Sequence, residues 1–383
     1  MAFVAFNSFQ RMTMTRKSMA VVASNPFTIN SNVTGWNSAN GDVSGSASAS
    51  GTTYQVYSFR NVPAPNKTST TTNSYTLTYT CNTTSYINVF MVGGGGSGGG
   101  GDAVDAGGGA GGVIMKSILI PANASAQTMT ISVGAGGLGG AISTAQANGS
   151  NSSITFNATG AAAITVPTLT SSKLTAYGGG AGGSASFTAT TGGSGGGGIR
   201  QNDAIRKIGA AALGNTTGTT SNYNYGNSGG SGVGTTGMVV CAGGGGAGSA
   251  GANAEDNGTN TILYGNNGAG GNGIKCSLPG ISQFTPSGFS SYGTYYWGGG
   301  GAGGTYGVTS GILGAGGLGG GGGQSSQPTA NGGSAITVPT NYYDGAPNSG
   351  AGGGGTWVGA VGSGGSGMVV IAFPATPVST ASA

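Results

Sequence analysis

Tyr86-Ile87-Asn88-Val89-Phe90-Met91-Val92-Gly93-Gly94-Gly95-Gly96 is the stretch on which the fold turns. Its first seven residues make a short apolar run rich in β-branched and aromatic side chains, which predicts a buried β-strand. Its last four have no side chain. The junction also divides the chain. Of 88 glycines, only Gly35, Gly41, Gly45 and Gly51 precede residue 93. Glycine is about 23% of the 383 residues, against roughly 7% in ordinary proteins.

Outward from this junction the same transition recurs. Upstream, Tyr75-Thr76-Leu77-Thr78-Tyr79-Thr80-Cys81 alternates cleanly and places Tyr75, Leu77, Tyr79 and Cys81 on one face. Tyr54–Phe59 alternates more weakly, and Pro63 and Pro65 punctuate a loop. Downstream, strands are predicted at Val113–Ile120, Thr128–Val133, Ser153–Phe156, Lys173–Tyr177, Met238–Cys241 and Gly367–Phe373. Several open directly onto glycine runs. Each interior glycine costs a helix about 1 kcal/mol relative to alanine, so almost no α-helix is expected.

Four regions follow: an extended N-terminal arm over 1–50, a β-strand region over 51–92, a glycine-rich domain over 93–373 and a flexible C-terminal tail over 374–383. Arg16-Lys17 precede the apolar Met19–Ala23, a stretch below the 7–15 residues of a signal-peptide core. The arm is therefore expected to be ordered and to dock on a neighbouring subunit. Ala163-Ile164-Thr165-Val166-Pro167-Thr168 recurs as Ala335–Thr340, and Val133–Gly140 recurs almost unchanged over 313–320. The period is irregular, which excludes a regular solenoid and favours one elaborated domain.

An ordered glycine run has no side chain to bury, yet its buried backbone groups must be paired. Extended three-fold segments solve this, because without Cβ atoms they approach closely on every side. The expected fold class is therefore all-β, with short strands interleaved with packed polyglycine-type extended helices. The irregular spacing excludes a collagen triple helix. Flexible linkers are the competing reading. Aromatic flanks argue for placement: Tyr295-Tyr296-Trp297 and Tyr306 bracket Gly298–Gly301.

Chemistry is sparse. The chain has no histidine, and its eleven Lys/Arg and seven Asp/Glu make up 5% of residues. No basic block suits nucleic acid. No 18-residue apolar run suits a membrane span. Asp102 and Asp105 read as solvated loop charges rather than a cation site. GxGxxG matches arise from composition alone, and no Gly-Lys dipeptide supports a Walker loop. Neither catalysis, nor a cofactor, nor a metal site is expected. Cys81, Cys241 and Cys276 are widely spaced, leaving three buried free thiols and a Cys241–Cys276 bridge both open. Asn32, Asn66, Asn82 and Asn123 head glycosylation sequons. Low charge removes repulsion between copies, which favours association.

From about Tyr75 to Phe373 the succession Val92–Gly96, Gly107–Val113, Pro121, Ile131–Gly137, Asn148-Gly149-Ser150, Leu174–Gly180, Trp297–Gly301 and Gly364–Ile371 resembles a glycine-rich domain of phage tail-fibre and tail-tip proteins and of large DNA virus proteins. Residues 1–70 are not covered. Ala372-Phe373-Pro374 stand where family members often carry a closing basic residue. The resemblance implies a structural role in a virion or outside the cell. It also implies homo-oligomers or other structural subunits as partners, and in some members a host glycan or receptor. Tyr223, Tyr225, Tyr292, Tyr295, Tyr296, Trp297, Tyr342, Tyr343 and Trp357 are candidate contact residues, with core or clamp roles as the competing reading. The expected function is a fibre, adhesin or capsid-associated subunit. A cellular filament or matrix protein is the alternative. A flat ice- or glycan-binding surface is the remoter one.

Overall fold

The computed structural model describes residues 25–29, 33–36, 38, 42–61, 71–100, 104–140, 146–157, 172–201, 205–206, 224–235, 238–254, 268–284, 296–306, 314–323, 343–356 and 361–375. Among them there is no α-helix, and the fold is all-β. The strands are β1 (Phe27–Ile29), β2 (Val43–Ala49), β3 (Thr52–Arg60), β4 (Asn73–Cys81), β5 (Ser85–Val92), β6 (Val113–Ile120), β7 (Asn123–Val133) and β8 (Ser152–Asn157). They continue as β9 (Lys173–Ala176), β10 (Arg200–Gln201), β11 (Ile205–Arg206), β12 (Asn224–Tyr225), β13 (Val233–Thr235), β14 (Met238–Val240), β15 (Thr305–Tyr306) and β16 (Met368–Pro374).

Two antiparallel sheets carry the fold. One runs β1-β4-β7-β8-β9 and the other β12-β6-β5-β16-β3-β2. The alternation of β4 is realised: Tyr75, Leu77, Tyr79 and Cys81 are buried. They share one core with Met129, Ile131 and Val133 of β7 and with Phe59, Ile87, Met91 and Ile371 of the other sheet. The opposite residues of the six-stranded sheet, including Val56, Phe90, Val92, Val370 and Ala372, pack in a second core with Ile281 and Trp297. Burial on both faces is why β5 and β16 read as continuous apolar runs.

The N-terminal residues take part in the sandwich. β1 pairs with β4 and β2 pairs with β3, while Trp36 sets its ring edge-on against Tyr57 and Phe59 at 6.0 and 5.6 Å. Residues 1–24 of the expected arm, most of the expected C-terminal tail and both Ala-Ile-Thr-Val-Pro-Thr repeats lie outside the described residues.

At one end of the sandwich the strands become glycine segments. Val92 of β5 opposes both Val113 of β6 and Met368 of β16, and Ser132 of β7 opposes Ser153 of β8. The segments leaving or entering here therefore run side by side. Gly93–Gly100 and Gly107–Gly112 are buried throughout. Their hydrogen bonds have a period of three. The amides of Gly93, Gly96 and Gly99 donate to the carbonyls of Gly112, Gly109 and Ala106. Those of Gly94 and Ser97 donate to Ser150 and Ala147, and those of Gly95 and Gly98 to Gly365 and Gly362. A β-strand bonds in two directions, whereas this segment bonds in three.

Candidate functional site

The glycine network is centred on residues 105–112. Asp105, Gly108 and Gly111 donate to Thr356, Gly353 and Gly350; Ala106, Gly109 and Gly112 to Gly183, Gly180 and Tyr177; Gly107 and Ala110 to Ala242 and Gly245. The carbonyls of the segment accept from the 93–99 stretch, from Ser194 and Gly197, and from Gly301 and Gly304. One segment is thus bonded to six neighbours. Such proximity excludes side chains: a Cβ on Gly108 would fall inside contact distance of the carbonyl oxygens of Gly96 and Ser97.

Where the network runs out of glycine neighbours, polar side chains close it. Asn151 Oδ1 accepts from the Gly178 amide at 2.8 Å, and Asn148 Oδ1 accepts from Ala181 at 3.0 Å. Donors and acceptors alike recur every third residue. Ser363 Oγ accepts from Gly139, and Asp344 Oδ1 accepts from Ser363 N. The sequence carried a usable signal here, an Asn pair spaced by three within a glycine segment, which the expected site residues do not include.

The candidate contact aromatics separate into distinct environments. Trp297 is buried and packs on Phe90 with centroids 4.9 Å apart. Tyr225 is half-buried on β12, which pairs with β6. Tyr296 is half-buried, with Lys275 Nζ 4.9 Å from its ring centroid. Tyr343 is half-buried, and its carbonyl accepts from Gly354. Tyr223, Tyr292, Tyr295, Tyr342 and Trp357 lie outside the described residues. Tyr86 and Tyr177, which sequence reasoning passed over, are the exposed large aromatics among the described residues.

The outer face of the five-stranded sheet is a field of hydroxyls. Ser74, Ser132, Ser153 and Thr175 form one cross-strand row, and Thr76, Thr130, Thr155 and Lys173 form the next. Most are half-buried.

Several titratable groups lie buried inside the fold. Cys81, Cys241 and Cys276 are free, and the first two are buried while Cys276 is partly so. Burial pushes the Cys81 and Cys276 thiols up to about 11 and raises Cys241 well above its ordinary value. These thiols are poor nucleophiles and poor ligands. Burial lowers the Arg60 guanidinium, against the opposing pull of Asp42. Asp42 Oδ1 accepts from the Arg60 amide at 2.8 Å and from the Tyr75 hydroxyl at 3.2 Å. Among the described residues no group of three His, Cys, Asp or Glu could hold a metal, and no helix is long and apolar enough to cross a membrane.

A family model described as a glycine-rich domain matches residues 69–374. The chain belongs to this glycine-rich domain family. The match closes on Pro374, the last residue of β16, so the family unit contains the strands of both sheets from β4 onward and the glycine network at their end. It leaves out β1, β2 and β3. Yet β16 pairs along its whole length with Tyr54–Arg60 of β3, and β1 pairs with β4. In this glycine-rich domain protein the N-terminal strands therefore complete sheets whose other strands belong to the family match. No curated protein matches the chain.

Proposed function

We propose that this chain is a structural subunit of a virion, a fibre, adhesin or capsid-associated protein, that works by self-assembly and surface contact. Its glycine segments act as packed polyglycine-type extended helices, making a thin, stiff, uncharged slab. One observation carries this reading: the 105–112 segment bonds to six neighbours with a period of three. Three-fold extended chains have that periodicity. The low charge and the resemblance to viral glycine-rich domains support a place in a virion or outside a cell.

The experiment joins sedimentation velocity over a wide concentration range with electron microscopy of the purified protein. Concentration-dependent oligomers or fibres are expected. A monomer at every concentration, with amides of 93–112 that exchange with solvent as fast as a free peptide, overturns both assembly and slab. A second reading, a flat ice- or glycan-binding face, is favoured by the Ser and Thr rows of the five-stranded sheet. Thermal hysteresis or a glycan-array signal would support it.

A further inference from the structure

Among the described residues the two main sheets end on four edge strands, and three of them are short. β12 has two residues, β1 has three, and β9 has four and begins with Lys173. The fourth, β2, is seven residues long with the sequence Val-Ser-Gly-Ser-Ala-Ser-Ala. It has no charge, no proline and no break in its register with β3. Sheet edges are ordinarily protected by shortness, by lysine or proline, or by a bulge. β2 uses none of these, and among the described residues no strand pairs with its outer side.

The hairpin fixes which groups that edge presents. Ser50 and Gly51 both have positive φ, 49° and 80°, and join Ala49 to Thr52 in a two-residue type I′ turn. Such a turn makes Ala49 and Thr52 a hydrogen-bonded pair, and alternation then turns Ala47, Gly45 and Val43 toward β3. The far side of β3 agrees, since the Thr53 carbonyl accepts from Ala375 beyond β16. The amides and carbonyls of Ser44, Ser46 and Ser48 therefore point outward. Their side chains are small, uncharged and exposed.

We propose that β2 pairs with β2 of a second copy, antiparallel, about a twofold axis at Ser46. The inference rests on reading the chain as a self-assembling subunit and names the contact. Ser46 is the midpoint of the outward set, so this register sets Ser46 opposite itself and Ser44 opposite Ser48 of the second copy. It uses every outward donor, for about six ladder hydrogen bonds, and joins two six-stranded sheets into one. A second copy fits better than an unrelated strand because the outward groups are self-complementary, as a twofold contact requires.

The test compares the full chain with Ser46→Pro, Ser46→Lys, Ser46→Ala and the double variant S44K/S48E by sedimentation velocity, with thermal unfolding as the check on folding. Ser46→Pro removes an outward donor and leaves the β2–β3 ladder intact. Ser46→Lys sets like charges face to face, and S44K/S48E sets opposite charges face to face. The first two are expected to weaken association about tenfold or more, while Ser46→Ala and S44K/S48E associate like the parent. Should the proline and lysine variants associate unchanged, this contact is wrong although assembly stands. If S44K/S48E falls apart with Ser46→Lys, the Ser46-centred register is wrong. A parent chain that is monomeric throughout removes the assembly reading as well. Because Ser46→Lys alters an exposed residue, it reports even where the proline variant fails to fold.

Discussion

Trp297 lies against Phe90 with ring centroids 4.9 Å apart and planes tilted by 58°. Phe90 belongs to the centre of the six-stranded sheet, and Trp297 heads the glycine run that follows it. The Trp297 backbone also exchanges two hydrogen bonds with Ile274, at 2.9 and 3.0 Å. One side chain thus fixes the origin of a segment that has no side chains of its own. Trp297→Ala is expected to cost about 3–5 kcal/mol, the usual range for a buried aromatic. Trp297→Phe should recover most of that. Chemical denaturation of the two variants would show it, and equal losses would mean that the ring does not act as the clamp.

The glycine network makes a sharper demand. Gly108 has carbonyls of two neighbouring residues where a Cβ would stand. Gly183 lies in the same network, but a Cβ there would meet its nearest atoms at 3.2 and 3.3 Å, the Ala189 nitrogen and the Gly197 oxygen. Gly108→Ala should therefore destabilise by about 3 kcal/mol or more, at the upper end of overpacking, and Gly183→Ala by clearly less. Comparable unfolding midpoints for the two would argue against close approach as the reason for glycine at Gly108.

The sequence revealed some of this and hid the rest for physical reasons. Tyr75, Leu77, Tyr79 and Cys81 announced their face because a strand with one wet face must alternate. β5 and β16 announced burial because both of their faces are covered. Glycine segments carry no such signal: with almost no side chains beyond Cβ, residues 105–112 give no hint of which six neighbours surround them. Those partners are set by strand register, as where Val92 opposes Val113 and Met368. β2 was hidden because Ser, Gly and Ala suit a loop as well as an edge strand. Trp297 was legible as an aromatic at a glycine junction, while its packing on Phe90 was not.

The buried Cys81 thiol and the partly buried Cys276 thiol predict an alkaline limit. Cys81 and Cys276 are raised from an ordinary value near 9 to about 11, chiefly by desolvation. The folded state then holds these protons more tightly than the unfolded chain. Their contribution is fully present below pH about 9 and is lost as the pH climbs toward 11. Unfolding midpoints should fall across that window, and Cys81→Ala with Cys276→Ala should flatten the slope. Tyr79, also raised by burial, adds to the loss at higher pH. At pH 8 a thiol reagent should label the native protein very slowly and the unfolded protein fully. Rapid native labelling would contradict the burial of these groups.

Asn151 gives the most local test of how the glycine network ends. Its Oδ1 accepts from the Gly178 amide at 2.8 Å. The neighbouring cap is doubled, because Ala181 N donates both to Asn148 and to Thr190 Oγ1, at 3.0 and 2.7 Å. Removal of Asn148 should thus be buffered, while removal of Asn151 should expose one amide. Asn151→Ala is expected to cost about 1 kcal/mol, near the net worth of one such bond, and more if the amide stays dry. Asn151→Asp, which keeps the acceptor, should cost less. Hydrogen exchange separates this from a general loosening: in the alanine variant Gly178 should lose protection, while Gly109 and Gly180 at the centre keep theirs. Uniform loss across the network would mean that it has no independent edge.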